Sequence, residues 1–334
     1  MSKKSISKRK KIIVTGGAGF IGSHLVERLV ELKYNVIVID DLSNGSLQNI
    51  KKVKQNIKFL KTDLNSKKIF KYFKNVEAVF HLAALADIVP SIENPKKYFY
   101  ANVSATENIL NISIKNNVKK FIYAASSSCY GIPNKYPTNE NTILDPQYPY
   151  ALSKKMGEDL VMHYGKIYKL NVCSLRLFNV YGPRSRTSGT YGAVFGVFLK
   201  QKLMNMPFTI VGNGKQKRDF TFVYDVVNAF LKAFISKKSN NQIFNVGSGA
   251  ASSVNKIAHL LKGKKVHIPK RPGEPNLTFA DIKKIKDTLK WVPKYKIEHG
   301  VKILIDNINY WKKAPLWTPK KIKKETKLWF KYLS

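Results

Sequence analysis

Tyr150 and Lys154 stand four residues apart in Tyr150-Ala151-Leu152-Ser153-Lys154, a stretch that reads as helix. That spacing puts a phenol and an ammonium on one helical face. A phenol near pKa 10 is a poor base at neutral pH, and a neighbouring cation lowers it toward use in proton transfer. Taken alone, such a pair is more often a solvent-facing one. It gains weight from Ser126-Ser127-Ser128-Cys129-Tyr130-Gly131, which follows the apolar run Phe121–Ala125 where a strand would end and a site would open. A second cluster is rich in glycine: Thr15-Gly16-Gly17-Ala18-Gly19-Phe20-Ile21-Gly22. Gly16, Gly19 and Gly22 permit a tight turn and let backbone N–H groups approach a pyrophosphate at a helix N-terminus. Asp40, eighteen residues past Gly22, suits the hydroxyls of an adenosine ribose. Its carboxylate would repel a 2′-phosphate, so NAD is expected over NADP.

These residues need elements to hold them. Lys11–Thr15 is a short β-branched run, Ser23–Leu32 has helical periodicity, and Asn35–Ile39 is a second buried strand closed by Asp40. Strand, glycine turn, helix and strand make a βαβ unit, whose crossover implies a parallel sheet. Ile57–Leu60, Ala78–Leu82, Phe121–Ala125 and Val172–Leu177 read as further strands, with helices near Pro95–Asn116 and Tyr150–Tyr168. After Gly182 the segments become shorter, punctuated by Pro183, Pro207, Gly212-Asn213-Gly214 and Pro269–Pro275. The expected class is α/β: a Rossmann-type doubly wound parallel sheet over residues 11–182, and a smaller C-terminal substrate-binding α/β domain over 183–334. Segments near 220–248, including Gln242–Val246, are expected to return to the first domain. Residues 1–10 read as a basic mobile tail.

The 334 residues carry 59 Lys and Arg against 21 Asp and Glu, a net charge of +38. With 44% hydrophobic and 12% aromatic residues, a disordered chain is excluded despite that charge. The lysines are spread along the whole length, without zinc-finger spacing or an aromatic RNA-binding signature. They read as a solvated surface whose field attracts anionic substrates, so no nucleic-acid partner is expected. Cys129 and Cys173 are too few for a disulfide framework or a four-sulfur site, and the six histidines lack ligand spacing, so no metal is expected. No run approaches the roughly 20 apolar residues of a membrane span. The basic start leads into a strand and not into a signal-type apolar region, so a cytoplasmic location without a membrane partner is expected.

The spacing Gly-x-x-Gly-x-x-Gly, with Tyr150, Lys154 and the serine-rich strand end, resembles the extended short-chain dehydrogenase/reductases. Across most of the chain it looks like a nucleotide-sugar epimerase of the UDP-hexose 4-epimerase type. The resemblance implies that Ser126, Tyr150 and Lys154 are catalytic. Ser126 would hydrogen-bond the substrate hydroxyl while Tyr150 withdraws its proton and hydride leaves. It implies NAD contacts from Gly16, Gly19, Phe20, Ile21, Gly22, Asp40 and Asn44, from Asp63-Leu64 at the adenine, and from the covering loop Leu82-Ala83-Ala84. Asn102 would lie behind the nicotinamide, and Tyr150 and Lys154 would touch the cofactor too. Ser127, Ser128 and Asn179 would contact the sugar nucleotide, and Arg218 and Arg271 its diphosphate. His81 and Asp87 are expected to be structural, and Asp225 to cap a helix N-terminus.

Similar enzymes that dehydrate the sugar carry Thr-Asp-Glu where this chain has Ser126-Ser127-Ser128, and decarboxylases tend to carry Thr-Ser-Glu there. The missing carboxylates favour epimerisation at C4 of a UDP-sugar over dehydratase or decarboxylase chemistry. A reductase is the remaining alternative, separated by its cofactor demand, and the retention of Ser126, Tyr150 and Lys154 speaks against a non-catalytic NAD-binding protein. A homodimer is expected, with Val103, Ile109, Ile112, Leu160 and Val161 as candidate contacts. Thr278, before Phe279-Ala280-Asp281, matches a position that borders the sugar C2 substituent in similar enzymes. A side chain smaller than tyrosine there implies room for an N-acetyl group.

Overall fold

Seven apolar runs pair into one wholly parallel sheet: β1 Lys11–Thr15, β2 Asn35–Asp40, β3 Ile57–Lys61, β4 Val76–His81, β5 Lys120–Ser126, β6 Val172–Leu177 and β7 Gln242–Val246. The computed structural model describes residues 9–185 and 194–333. Of the tail expected over residues 1–10, only Arg9 and Lys10 fall among them, and Lys10 pairs with Glu77 at 2.8 Å. The spatial order is β3-β2-β1-β4-β5-β6-β7. Strand order reverses between β1 and β4, and in such sheets ligands bind in the crevice at that switch point.

Both faces of the sheet are covered, which is why its strands read as continuous apolar runs and do not alternate. Val14, Leu25, Phe80 and Phe230 belong to the core on one face, with helices α1 (Phe20–Glu31) and α4 (Val223–Ile235). Ile13, Ile109, Phe121 and Val161 belong to the other, with α2 (Ala105–Lys115) and α3 (Pro149–Tyr168). A third core, around Phe198, Phe208, Phe222 and Trp311, holds the smaller lobe together. By pairing with β6, β7 brings the chain back to the main sheet. A later segment returns as well. Ile285 and Leu289 of the helix Lys283–Leu289, together with Trp291, are buried in the core of the main sheet.

Three local expectations change. The helix expected over Pro95–Asn116 is interrupted by a π turn at Tyr100–Ser104. This turn sends Asn102 inward and leaves Tyr100 outside, its hydroxyl donating to Asp63 at 3.1 Å. Asp225 is not an N-cap. It sits in the first turn of α4, and its carboxylate accepts from the amides of Lys294 and Tyr295 at 2.9 and 3.0 Å. Finally, Ile109, Ile112 and Val161 are spent in this chain's own core and cannot face a partner. The exposed apolar side chains on α3 are Leu152, Met156, Ile167 and Tyr168.

The helix α3 is fixed to the sheet by charge. Arg176 of β6 donates to Glu158 of α3 at 2.6 Å, with the two side chains only 4% and 2% exposed. Ser174 donates to the same carboxylate, and Arg176 also reaches the Tyr130 hydroxyl at 2.8 Å and the Glu140 carbonyl at 3.0 Å. Removing one member of a buried pair strands the other without water or partner, at a cost of about 3–5 kcal/mol. Glu158→Ala is expected to lose stability on that scale in urea denaturation, and Glu158→Ala/Arg176→Met to recover part of it. Equal losses for the single and double variants would contradict this account.

Candidate active site

The C-terminal ends of β1, β2, β4, β5 and β6 open into one cleft of about 1120 Å³. At its dinucleotide end, Gly16 follows β1 with φ +68, and a Cβ there would lie 2.6 Å from the amide nitrogen of Ala83. A Cβ at Gly22 would collide with the Gly16 carbonyl oxygen. Gly19 is the N-cap of α1 and brings no side-chain cap, and the first turn holds no acidic residue. The first-turn backbone of Gly19, Phe20, Ile21 and Gly22 therefore borders the cleft with its positive dipole end and nothing anionic to satisfy it. That is the environment a pyrophosphate requires.

Asp40 closes β2 and takes the amides of Ala18 and Leu42 at 2.9 and 2.8 Å, which fixes its carboxylate at the cleft wall. Burial raises its pKa, and those two hydrogen bonds oppose the rise. Asn44, Asp63 and Leu64 line the same end, as do Leu82, Ala83 and Ala84 of the loop after β4. That loop is tied down by the Leu82 amide on the Thr15 carbonyl at 3.2 Å and the Ala83 amide on the Thr15 hydroxyl at 3.3 Å. His81, fully buried, lies between the hydroxyls of Thr15 and Thr106 at 2.7 and 2.8 Å. Burial drives its pKa down to about 3, so it is a neutral strut. Asp87 stands at the N-cap position of the helix Ile88–Glu93, on the cleft wall. Asn102 is buried behind that loop, and its amide group spans the Leu85 backbone and the Ser153 hydroxyl, joining the covering loop to α3.

Ser126, Ser127, Ser128, Tyr150 and Lys154 meet in the middle of the cleft. Ser126 ends β5 and its hydroxyl accepts from the Ser128 amide at 3.2 Å. Tyr150 stacks on Tyr148, with centroids 6.3 Å apart and planes 11° from parallel, and meets Tyr98 edge-on at 6.5 Å. The Lys154 ammonium lies 4.2 Å from the centroid of the Tyr123 ring. Burial pulls that ammonium down to about 8, and the nearby Cys129 and Glu158 work in the other direction. Burial likewise pushes the Tyr150 phenol above its ordinary range, with a hydrogen bond to Ser126 opposing it. Among the protein's own groups burial thus outweighs the lowering expected from a neighbouring cation.

Farther along, Asn179, Arg218 and Arg271 line the cleft. Arg218 donates to the Lys217 carbonyl at 3.0 Å and to Glu274 at 3.1 Å. The Thr278 hydroxyl donates to Asn179, which lines the cleft, at 2.8 Å and accepts from the Asp219 amide at 3.2 Å. Sequence reasoning also passed over Tyr98 and Tyr148, Arg184 (paired with Glu27 at 2.7 Å), Tyr310, Trp317 and Trp329. Tyr148 could have been suspected from its place beside Pro149, where α3 starts. The tryptophans had no local signal.

A glycine turn at the switch point and a Tyr-Lys pair beside a serine strand end define an extended short-chain dehydrogenase/reductase. The profile of the NAD dependent epimerase/dehydratase family matches residues 12–247, and this chain belongs to that family. It is 38% identical over 304 residues to a putative UDP-glucose 4-epimerase of Methanocaldococcus jannaschii, covering 88% of this chain and 97% of that protein. The crystal structure of a UDP-glucose 4-epimerase from Thermotoga maritima with UDP-glucose superposes with a TM-score of 0.84 at 35% identity, covering 91% of this chain and 99% of that one. A UDP-N-acetylglucosamine 4-epimerase from Methanobrevibacter ruminantium, in complex with UDP-N-acetylmuramic acid, gives 0.84 at 33% identity, covering 90% and 99%.

NAD is the cofactor, and the glycine turn and Asp40 fit it. A methyl group at Gly22 has nowhere to go except against the backbone of the Gly16-Gly17 turn. Gly22→Ala is expected to be purified with less than about a tenth of the wild-type NAD content, read by absorbance after denaturation. Wild-type NAD content in that variant would show that the turn tolerates the side chain.

Proposed function

We propose that the enzyme epimerises C4 of a UDP-hexose or UDP-N-acetylhexosamine through a transient 4-keto sugar. The observation that carries this reading is the set of groups at the reaction centre. Tyr150, Lys154 and three serines meet there, and the segment Ser126–Ser128 brings no carboxylic acid for elimination or decarboxylation. Bound NAD+ supplies the acceptor and later the donor of the C4 hydrogen, and a positive charge beside the phenol.

Tyr150 takes the proton of the C4 hydroxyl, while Ser126, hydrogen-bonded to both, holds that hydroxyl in line. Its phenol is costly to ionise while buried, so the Lys154 charge is needed at the moment of transfer. The keto sugar must then present its other face without leaving. Arg218 and Arg271 grip the diphosphate as fixed forks while the sugar turns about its phosphate linkage. Asn179, held by Thr278, meets the sugar. Tyr150 finally returns its proton to the new C4 oxygen.

Incubation with UDP-sugars, followed by NMR, tests the reading. The expected product is the C4 epimer with no net change in NADH. A product lighter by one water or by carbon dioxide, or NADH accumulating with product, would replace it by another conversion in the family. Tyr150→Phe keeps the ring between Tyr98 and Tyr148 and removes the proton acceptor. Its kcat is expected to fall about 100- to 10,000-fold at an unchanged Tm. Near-normal turnover would remove Tyr150 from its role.

We also infer a homodimer through the outer face of α3, where Leu152, Met156, Ile167 and Tyr168 are exposed. Light scattering at micromolar concentration is expected to give twice the chain mass, and Met156→Glu a monomer that retains its NAD. A monomeric wild type would end this proposal.

A further inference from the structure

The outer end of the cleft is built from the last residues of the chain. Trp317 and Trp329 line it together with Arg271 and Glu274. The helix Lys327–Tyr332, which carries Trp329, packs against the helix Ile88–Glu93 beyond β4 and so spans from the sheet to the smaller lobe. Trp329 is buried. Its indole N–H donates to the Pro272 carbonyl at 2.7 Å, and the Arg271 guanidinium lies 5.3 Å from its ring centroid. One side chain thus holds both the guanidinium and the backbone of the Arg271-Pro272 step. Beyond it, Glu274 is held by Arg218 at 3.1 Å. The loop between has no helix or strand of its own, and Gly273 turns there with φ +66. An arginine on such a loop has many orientations unless something selects one, and an aromatic face does so at little cost to its charge.

We propose that Trp329 is a positioning residue for substrate binding: it sets the Arg271 guanidinium toward the diphosphate of the nucleotide sugar. This makes the segment that carries Trp329 part of the binding site. The inference rests on the reading above that Arg271 grips the diphosphate. Trp329 acts through Arg271 at the diphosphate, so it governs affinity and not the chemical step.

The test uses the full-length enzyme with its NAD and titrates UDP by calorimetry against wild type, Trp329→Ala, Trp329→Phe, Arg271→Ala and Arg271→Ala/Trp329→Ala. Trp329→Ala is expected to weaken UDP about tenfold, and Trp329→Phe, which keeps a ring and loses the N–H, about threefold. The double variant is expected to bind no worse than Arg271→Ala alone, because the tryptophan acts through the arginine. With substrate, KM should rise in step with the UDP Kd while kcat stays within about twofold and NAD content is unchanged. Should Trp329→Ala not fold, Trp329→Phe carries the same cycle with Arg271→Ala. If Trp329 variants bind UDP as wild type does while Arg271→Ala binds weakly, the proposal is overturned and the role of Arg271 stands. Losses that simply add in the double variant overturn it too. If Arg271→Ala itself binds UDP normally, the assignment of Arg271 falls first and takes the proposal with it.

Discussion

The ion pair between Glu158 and Arg176 is the constraint on which the reaction centre depends. Tyr150, Lys154 and Glu158 follow one another at four-residue steps along α3, so fixing Glu158 fixes the rotation and height of the two residues above it. Arg176 supplies that anchor from β6, the strand beside β5, which ends in Ser126. Its second hydrogen bond reaches Tyr130, which donates in turn to Asn245 of β7 at 2.8 Å. Helix, three adjacent strand ends and the loop at Glu140 are thus referenced to one buried guanidinium. A slip of one residue along α3 would turn the phenol away from the serine.

Arginine is scarce here, and where it occurs says what it is for. Only seven of the 59 basic residues are arginines. Arg176, Arg184 and Arg218 each meet a carboxylate, and Arg184, Arg218 and Arg271 line the cleft. A planar fork that keeps its charge when buried is needed at those positions, and lysine cannot replace it. Among the described residues the lysines serve elsewhere as solvated charge, with two buried exceptions. Lys154 lines the cleft with Tyr150, and Lys120 donates to the Ser236 carbonyl and the Ser239 hydroxyl.

Much of this was readable from the sequence because the governing signals are local. The strands β1, β6 and β7 fall where their apolar runs place them, since a doubly covered parallel strand is predominantly apolar. The glycine turn and the Tyr-Lys helix carry their own geometry. What the sequence leaves open is which way a side chain faces after folding. Asn102 lies in a π turn and points to the covering loop. The apolar face of α2 reads as an interface, yet the sheet covers it. No spacing in the sequence joins Trp329 to Arg271, because the contact crosses 58 positions of chain between two short irregular segments.

The path of the chain between the sheet and the smaller lobe limits how the cleft can open. The backbone leaves after β6, comes back for α4 and β7, leaves again, comes back for the helix Lys283–Leu289 and Trp291, and leaves a third time. Two lobes joined by one strand of chain can swing apart like a clamshell. Lobes laced together by several crossings resist that swing, because each crossing is a covalent tether at a different point along the seam and a hinge motion has to bend all of them. For the proposed reaction, in which the sugar turns over in place, such a seam restrains the two lobes against each other while the sugar is half-oxidised.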